Sequence, residues 1–169
     1  MDLKQYIAEV QDFPKEGINF KDITPLLANP DALRTVVAQM ADACLVNKVD
    51  VIVAPESRGF IFGLPVAYTL GKPAVLVRKK GKLPRQVIQS YYELEYGTDV
   101  LEMHLDSIKP GQRVAIIDDL LATGGTVEAI IRMVKHLGGE VVLVNTLIEL
   151  EDLNGKNKFD CNVESIIKY

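Results

Sequence analysis

Two adjacent carboxylates followed by a run of small and hydroxyl residues could carry out chemistry. Asp118 and Asp119 come directly after the apolar run Val114–Ile117. Carboxylates accept hydrogen bonds from neighbouring sugar hydroxyls, and backbone N–H groups of small residues can close around a phosphate at the start of a helix. The residues that follow are of that kind: Ala122, Thr123, Gly124, Gly125 and Thr126. The segment therefore predicts a site for a sugar that carries a phosphate.

Other interpretations of this segment are less complete. A Rossmann loop would need the pattern G-x-G-x-x-G, and a Walker A loop would need Lys-Ser or Lys-Thr after the glycines; the segment has neither. The remaining alternative is a structural connection between a strand and a helix, in which the acids cap the helix and the glycines turn the chain. That alternative leaves the paired acids beside the phosphate loop unexplained.

Alternating strand and helix patterns would position these residues. Asn29 and Pro30 are typical of a helix start, and apolar residues recur behind them at helical spacing: Leu33, Val36, Val37, Met40, Ala41 and Cys44. Further along the chain we predict strands over 51–54, 74–77, 114–117 and 141–148, and helices over 60–70 and from Val127 to Gly138. This alternation predicts a doubly wound α/β domain with a parallel sheet.

Composition and charge indicate one globular domain, spanning residues 1–169. The chain is 48% hydrophobic and 25% charged, with no repeat or linker tract. A net charge of -4 and a pI near 5.2 argue against nucleic acid or an anionic membrane as partner. No signal-peptide or membrane-span pattern stands out, so the expected compartment is the cytoplasm. Cys44 and Cys161 are expected to be buried free thiols.

The segment of about 79–100 departs from the strand and helix alternation. Its first part is basic and broken by glycine, and residues 92–98 alternate like the arm of a hairpin. Long excursions inside compact domains are commonly lids or binding loops. We predict a mobile lid here; the alternative is a solvated surface hairpin.

The acid pair and the loop behind it resemble the motif of the type I phosphoribosyltransferases that binds phosphoribosyl pyrophosphate (PRPP). The resemblance implies a mostly parallel sheet with helices on both faces, an N-terminal hood over about 1–30 and a flexible catalytic loop over about 79–100. It also implies Mg²⁺ as cofactor, held mainly by PRPP oxygens and water without a dedicated protein ligand. Asp118 and Asp119 are expected to hold the ribose hydroxyls, and loop 122–126 the 5-phosphate.

The resemblance extends to the residues around the leaving pyrophosphate. Glu56, Ser57 and Arg58 resemble the pyrophosphate loop of the family, and the guanidinium of Arg58 suits an anionic ligand. Arg78, Lys79 and Lys82 are expected to add positive charge there. Without the resemblance, Arg58 could be a surface residue in a turn, and residues 78–82 could be a solvated basic loop. Glu95 stands where the family has a glutamate that is proposed to exchange a proton with the purine. The predicted catalytic residues are Glu95, Asp118, Asp119 and Arg58.

The segment Phe13–Leu27 resembles the hood of the adenine-specific members of the family. The resemblance implies that Phe20 stacks on the base, that backbone groups of Asn19 and Lys21 bond its edge, and that Leu150 packs on its other face. A core aromatic is the structural alternative for Phe20.

The implied function is purine salvage, in which ribose 5-phosphate moves from PRPP to adenine and gives AMP and pyrophosphate. A homodimer is implied as well. Two alternatives stay open: a phosphoribosyltransferase for hypoxanthine, guanine or xanthine, and a regulatory protein that senses PRPP.

Overall fold

A computed structural model describes residues 1–94 and 97–169 of the chain, and strands and helices alternate through most of it. The strands are β1 (Ala8–Gln11), β2 (Asn19–Asp22), β3 (Val51–Pro55), β4 (Ala74–Lys79), β5 (Val87–Leu94), β6 (Gly97–His104), β7 (Arg113–Leu121), β8 (Glu140–Glu149) and β9 (Asn162–Lys168). The α-helices are α1 (Thr24–Leu27), α2 (Pro30–Val46), α3 (Gly59–Leu70) and α4 (Gly125–His136). Short 3₁₀ turns cover Leu3–Tyr6, Glu151–Leu153 and Gly155–Lys158.

Seven of these strands form one twisted sheet in the order β5-β6-β4-β3-β7-β8-β9. The run from β4 to β9 is parallel throughout, and β6 and β5 extend it as antiparallel strands. From β3 the chain moves first to β4 on one side and later to β7 on the other. The topological switch therefore lies between β3 and β7, where open α/β sheets bind their ligands.

The sheet is covered by helices on both faces, as predicted. Along β7 the buried side chains alternate: Ala115 and Ile117 belong to the apolar cluster that includes α2 and α3, whereas Val114 and Ile116 belong to the cluster that includes α4. Such alternation follows from the period of two along a strand. The predicted fold class is confirmed: a doubly wound, mostly parallel α/β sheet.

Helix α2 begins where the sequence predicts it. The side chain of Asn29 accepts hydrogen bonds from the N–H groups of Asp31 and Ala32, and Pro30 occupies the first helical position. Cys44 lies on the buried face of α2 and is a free thiol, as expected. Cys161 is also free but only half-buried.

The segment predicted as a lid contains the hairpin β5–β6, which is bonded to the sheet. Strands β5 and β6 pair from Val87↔His104 to Leu94↔Gly97, and β6 pairs with β4 at Arg78↔Glu102. The described residues of the arm predicted for 92–98 therefore belong to a longer hairpin that begins at Val87. Glu95, the predicted catalytic glutamate, lies outside the described residues. The mobility of the segment stays a prediction.

The N-terminal segment forms a small sheet of its own, separate from the main one. Strands β1 and β2 are antiparallel, with Val10 opposite Phe20. Helix α1 follows and buries Leu26 in the same apolar cluster as α2. This unit lies within the segment predicted as the hood, and its role as a hood stays a prediction. Among the described residues, no helix has the length and apolar character needed to cross a membrane.

Candidate active site

The predicted phosphate loop lies at the carboxyl end of the central strand β7, where the first turn of α4 begins. All five of its predicted residues line a small cavity of about 100 Å³: Ala122, Thr123, Gly124, Gly125 and Thr126. Asp118 lines the same cavity. Because the first N–H groups of a helix have no partner within the helix, the start of α4 directs hydrogen-bond donors and the positive end of its dipole toward the cavity. The cavity is suited to a phosphate.

A second segment, which the sequence did not point to, packs against this loop from behind. A Cβ atom placed on Gly155 would lie 2.4 Å from the carbonyl oxygen of Ala122 and 3.2 Å from the carbonyl carbon of Thr123. Only glycine allows the two backbones to approach so closely. The ring of Phe159 lies close to Gly124 in the same way. The 3₁₀ turn Gly155–Lys158 therefore supports the shape of the phosphate loop.

The paired acids are held differently from one another. Asp119 is only 6% exposed and forms an ion pair with Arg58, with 3.0 Å between Oδ2 and Nε. Its backbone N–H donates to Oδ1 of Asp118 at 2.8 Å. Desolvation, together with the like charge of Asp119, raises the pKa of Asp118 well above its usual range. A bound ligand with hydroxyl donors or a cation would stabilise the charged form of Asp118.

Close packing between α3 and β7 brings Arg58 to the acid pair. A Cβ atom on Gly59 would lie 2.8 Å from Cδ of Pro55 and 3.1 Å from Oδ1 of Asp118. The start of α3 can therefore lie directly on the end of β7 only with glycine at position 59. The peptide bond between Glu56 and Ser57, in the loop that leads into α3, is cis.

Glu56, which follows β3, contacts the predicted basic residues at the end of β4 and in the loop after it. Its Oε1 accepts hydrogen bonds from the side chain of Arg78 at 3.3 Å and from the backbone N–H of Lys79 at 2.7 Å, and its Oε2 accepts one from Nζ of Lys82 at 2.7 Å. Although desolvation acts to raise the pKa of Glu56, the hydrogen bonds from Lys82 and Lys79 outweigh it and hold that pKa below its usual value. Glu56 therefore stays charged and positions the basic residues.

The side chain of Lys79 is directed toward the hairpin. Its Nζ lies 3.1 Å from Oδ2 of Asp99 on β6, and the same oxygen accepts a hydrogen bond from the hydroxyl of Tyr92 at 3.0 Å. The hydrogen bond to Asp99 raises the pKa of Lys79. Buried Glu102 adds a second link between the basic loop and the hairpin, because it accepts the N–H of Gly81 and the side-chain amide of Gln89, each at 2.6 Å.

The predicted base-binding residues of the hood lie on opposite faces of β2. The side chains of Asn19 and Lys21 both donate to Oε2 of Glu9, at 2.7 and 2.8 Å. Phe20 projects to the other face, where its ring and that of Phe13 pack nearly perpendicular to each other, with 5.2 Å between centroids. The guanidinium carbon of Arg58 lies 5.5 Å from the centre of the Phe20 ring. Arg58 thus lies between the aromatic residue of the hood and the acid pair.

Leu150, the fourth predicted base contact, follows the end of β8. Its backbone N–H donates to the carbonyl oxygen of Leu121 at 3.0 Å, so its position is tied to the strand that carries the acid pair. The side chain is partly buried and packs against the cluster that includes α2 and α3. The structure thus brings together the ends of β3, β4, β7 and β8 with the hood. Sequence reasoning missed Glu9, Asp99, Gly155 and Phe159, which act through contacts with residues far away in the chain.

A comparison with family models gives the class of protein. The model described as "Phosphoribosyl transferase domain" matches residues 22–167, which includes every element from α1 to β8 and almost all of β9. The chain therefore belongs to the phosphoribosyltransferase family.

Individual relatives give the branch of that family. The adenine phosphoribosyltransferase of Acetivibrio thermocellus is 56% identical over 171 residues, with 100% of both chains covered. The crystal structure of the enzyme of that name from Thermoanaerobacter pseudethanolicus is similar with a TM-score of 0.95 and 50% identity, over 99% of this chain and 98% of that one. The Saccharomyces cerevisiae structure, complexed with an imino-altritol bisphosphate and adenine, has a TM-score of 0.92 and 37% identity, over 98% and 96%. Within its family the chain groups with the adenine phosphoribosyltransferases.

Replacing Gly155 should impair the phosphate loop without affecting the rest of the site. In Gly155→Ala the added Cβ must displace the backbone of Ala122, so we expect KM for PRPP to rise about tenfold, as for overpacking that costs about 1–2 kcal/mol. Steady-state kinetics with PRPP as the varied substrate measure this.

Gly111→Ala is the matched control for this variant. Gly111 has a φ of 83° and open space around it, and it lies before the start of β7, at the opposite end of that strand from the site. This control should lower the melting temperature without changing KM for PRPP. An equal rise of KM in both variants would show that loss of stability alone causes the effect.

The raised pKa of Asp118 predicts a stability gain on neutralisation. Because its pKa in the folded chain lies above the usual 3.8, its charge costs stability at neutral pH, and the cost disappears as the pH falls through the raised pKa toward 3.8. Asp118→Asn should therefore melt at a higher temperature than the parent at neutral pH, and the difference should shrink on acidification. Thermal melts over a pH series measure this.

Asp106→Asn serves as the control, because Asp106 is exposed and its hydrogen bond from Arg85 lowers its pKa. It should give no gain in melting temperature. A gain for Asp118→Asn that did not vary with pH would contradict the electrostatic explanation.

Proposed function

We propose that the chain transfers ribose 5-phosphate from PRPP to adenine in purine salvage, producing AMP and pyrophosphate. The observation that carries the proposal is the position of Arg58, with its Nε 3.0 Å from Asp119 and its guanidinium carbon 5.5 Å from the centre of the Phe20 ring. The proposed binding sites for adenine and for PRPP therefore both lie within reach of the Arg58 guanidinium. The bound adenine in the yeast relative supports adenine as the acceptor.

The reaction breaks the bond between C1 of the ribose and pyrophosphate and forms the bond between C1 and N9 of adenine. Positive charge develops on the sugar while the leaving group carries negative charge, so the residues around them act mainly through electrostatics. Loop 122–126 anchors the 5-phosphate, and Asp118 and Asp119 hold the ribose hydroxyls. These contacts fix C1 against the base.

The pyrophosphate is bound by the cations around Glu56. Arg78 and Lys82 are already oriented by this carboxylate, with Nζ of Lys82 at 2.7 Å and Nε of Arg78 at 3.3 Å. A site whose donors are preorganised spends less free energy on ordering them when the ligand arrives. Lys79 reaches the pyrophosphate by exchanging its contact with Asp99 for the ligand. Ser57 and Arg58 complete this subsite from the start of α3.

Mg²⁺ fits the oxygen donors that the site presents. The described residues include no cluster of three or more His, Cys, Asp or Glu side chains arranged as metal ligands. The ion would be held mainly by PRPP oxygens and water, beside the carboxylates of Asp118 and Asp119 that hold the ribose hydroxyls. Mg²⁺ retains waters and commonly binds through one or two carboxylates and substrate phosphates. When bound, the ion neutralises charge on the departing pyrophosphate.

Adenine lies between Phe20 and Leu150. Stacking on an aromatic ring gives affinity but does not distinguish one purine from another. Nδ2 of Asn19 and Nζ of Lys21 donate to Glu9, whereas Oδ1 of Asn19 is buried without a hydrogen-bond partner. We assign the edge of the base to backbone groups of Asn19 and Lys21 that are not paired with β1. A base with the wrong exocyclic group would leave such groups unpaired.

Closure over the site excludes water, which would otherwise hydrolyse PRPP. The segment of about 79–100 carries this role, and Glu95 exchanges a proton with the purine. Contacts from Asp99 to Lys79 and from Glu102 to Gly81 connect the hairpin to the pyrophosphate subsite.

A homodimer is part of the proposal. Leu64 and Tyr68 lie one turn apart on α3 and are 57% and 88% exposed, and burial against a second copy would remove this apolar surface from water. Sedimentation would then give twice the chain mass of 18.7 kDa.

The acceptor base is tested by offering radiolabelled adenine, hypoxanthine, guanine, xanthine and orotate separately, with PRPP and Mg²⁺, and measuring the nucleotide formed. We expect AMP from adenine and at most trace product from the others. Turnover of an oxopurine instead would keep the PRPP site and overturn the assignment of the hood. PRPP binding without transfer to any base would favour the sensor.

The proton-transfer role of Glu95 predicts a specific kinetic defect. Glu95→Leu should lower kcat by about a hundredfold, the usual scale of general acid–base catalysis, with little change in PRPP affinity. Single-turnover kinetics and PRPP titration measure the two quantities. Glu93→Leu, two residues away on β5, is the control and should retain kcat. Equal losses of turnover and affinity in Glu95→Leu would mean that Glu95 only shapes the loop.

A further inference from the structure

We propose that Tyr169 is a positioning residue for the base site, because it joins the two walls between which the base is held. One wall is Phe20 on β2 of the hood, and the other is Leu150 after β8. These two residues are far apart in the chain: Phe20 belongs to the small N-terminal sheet, and Leu150 follows a strand of the seven-stranded sheet. This inference rests on the proposed function, since it assigns to Tyr169 the spacing of the proposed adenine pocket.

The backbone of Tyr169 brackets Leu150 on both sides. Its N–H donates to the carbonyl oxygen of Glu149 at 3.0 Å, and its carbonyl oxygen accepts the N–H of Glu151 at 2.8 Å. The N–H of Leu150 itself donates to Leu121 on β7. Leu150 is therefore held from one side by the strand of the acid pair and from the other by Tyr169.

The ring of Tyr169 contacts the other wall through Lys21. Nζ of Lys21 lies 3.8 Å from the ring centre, within the range of cation–π attraction, and the Lys21 side chain is only 8% exposed. Lys21 directly follows Phe20 and donates to Glu9 on the paired strand β1. Nζ of Lys4, in the first 3₁₀ turn, lies 4.0 Å from the same ring centre. The hood is thus attached to the Tyr169 ring by two ammonium groups.

These contacts act together with the apolar packing of the hood, through Ile23 and Leu26, in setting the separation of the two walls. A stacked base requires both of its faces to be in contact, so a small outward shift of the hood would lose one contact without altering the acid pair or the phosphate loop. Partial desolvation strengthens the attraction between Lys21 and the ring. The expected consequence of losing the ring is weaker adenine binding with the PRPP site intact.

Tyr169→Leu tests this inference, with Tyr169→Phe as the conservative variant. We expect KM for adenine to rise about threefold to tenfold in Tyr169→Leu, the range that corresponds to a partly buried cation–π contact. KM for PRPP should stay unchanged, and Tyr169→Phe should keep both values of the parent, because its ring remains. Lys21→Met, which leaves the ring in place and removes the cation, should give the same rise for adenine and covers the case in which Tyr169→Leu does not fold.

Tyr6→Leu is the matched control, because Tyr6 is an aromatic residue that packs against the same apolar cluster as Tyr169. It should leave KM for adenine unchanged. The inference is overturned if KM for both substrates rises together, if Tyr6→Leu reproduces the effect, or if neither Tyr169→Leu nor Lys21→Met changes KM for adenine. A parent protein that forms no AMP from adenine would instead remove the proposed function, so the two failures are distinguishable.

Discussion

The ion pair between Arg58 and Asp119 is the interaction on which the arrangement of the site depends. Asp119 is buried and carries a like-charged neighbour, and burying such a pair without a cation would be costly. Arg58 compensates that charge from the start of α3, and the same guanidinium faces the ring of Phe20. One residue thus couples the central strand, a neighbouring helix and the hood.

Near this ion pair, carboxylate side chains hold basic side chains in positions from which they could bind an anion. Glu56 orients Arg78 and Lys82, and Asp99 holds Lys79. Without these partners, several positive side chains on one edge of the sheet would repel one another and spread into solvent. Each carboxylate lies on a different strand or loop from its cations, and the pair between Asp99 and Lys79 joins the hairpin to the parallel part of the sheet.

Close contacts between backbone segments also determine the geometry of the site. Gly59 lets α3 lie on the end of β7, and Gly155 lets the 3₁₀ turn behind the phosphate loop touch Ala122. At the proposed base site, a backbone hydrogen bond attaches Leu150 to Leu121 of β7. The proposed phosphate and base subsites therefore share one strand as their common support, and a shift of β7 would alter both.

The sequence by itself determined the fold class and most elements of the parallel sheet, and it located the loop and acid pair proposed to bind the sugar phosphate, because these depend on periodicity and on residues adjacent in the chain. It did not reveal β9, whose apolar residues are interspersed with polar ones and whose place is set by pairing with β8. The ion pair of Arg58 with Asp119 and the packing of Gly155 also needed the tertiary structure. Such contacts join distant residues, and the order of strands in the sheet decides which of them meet.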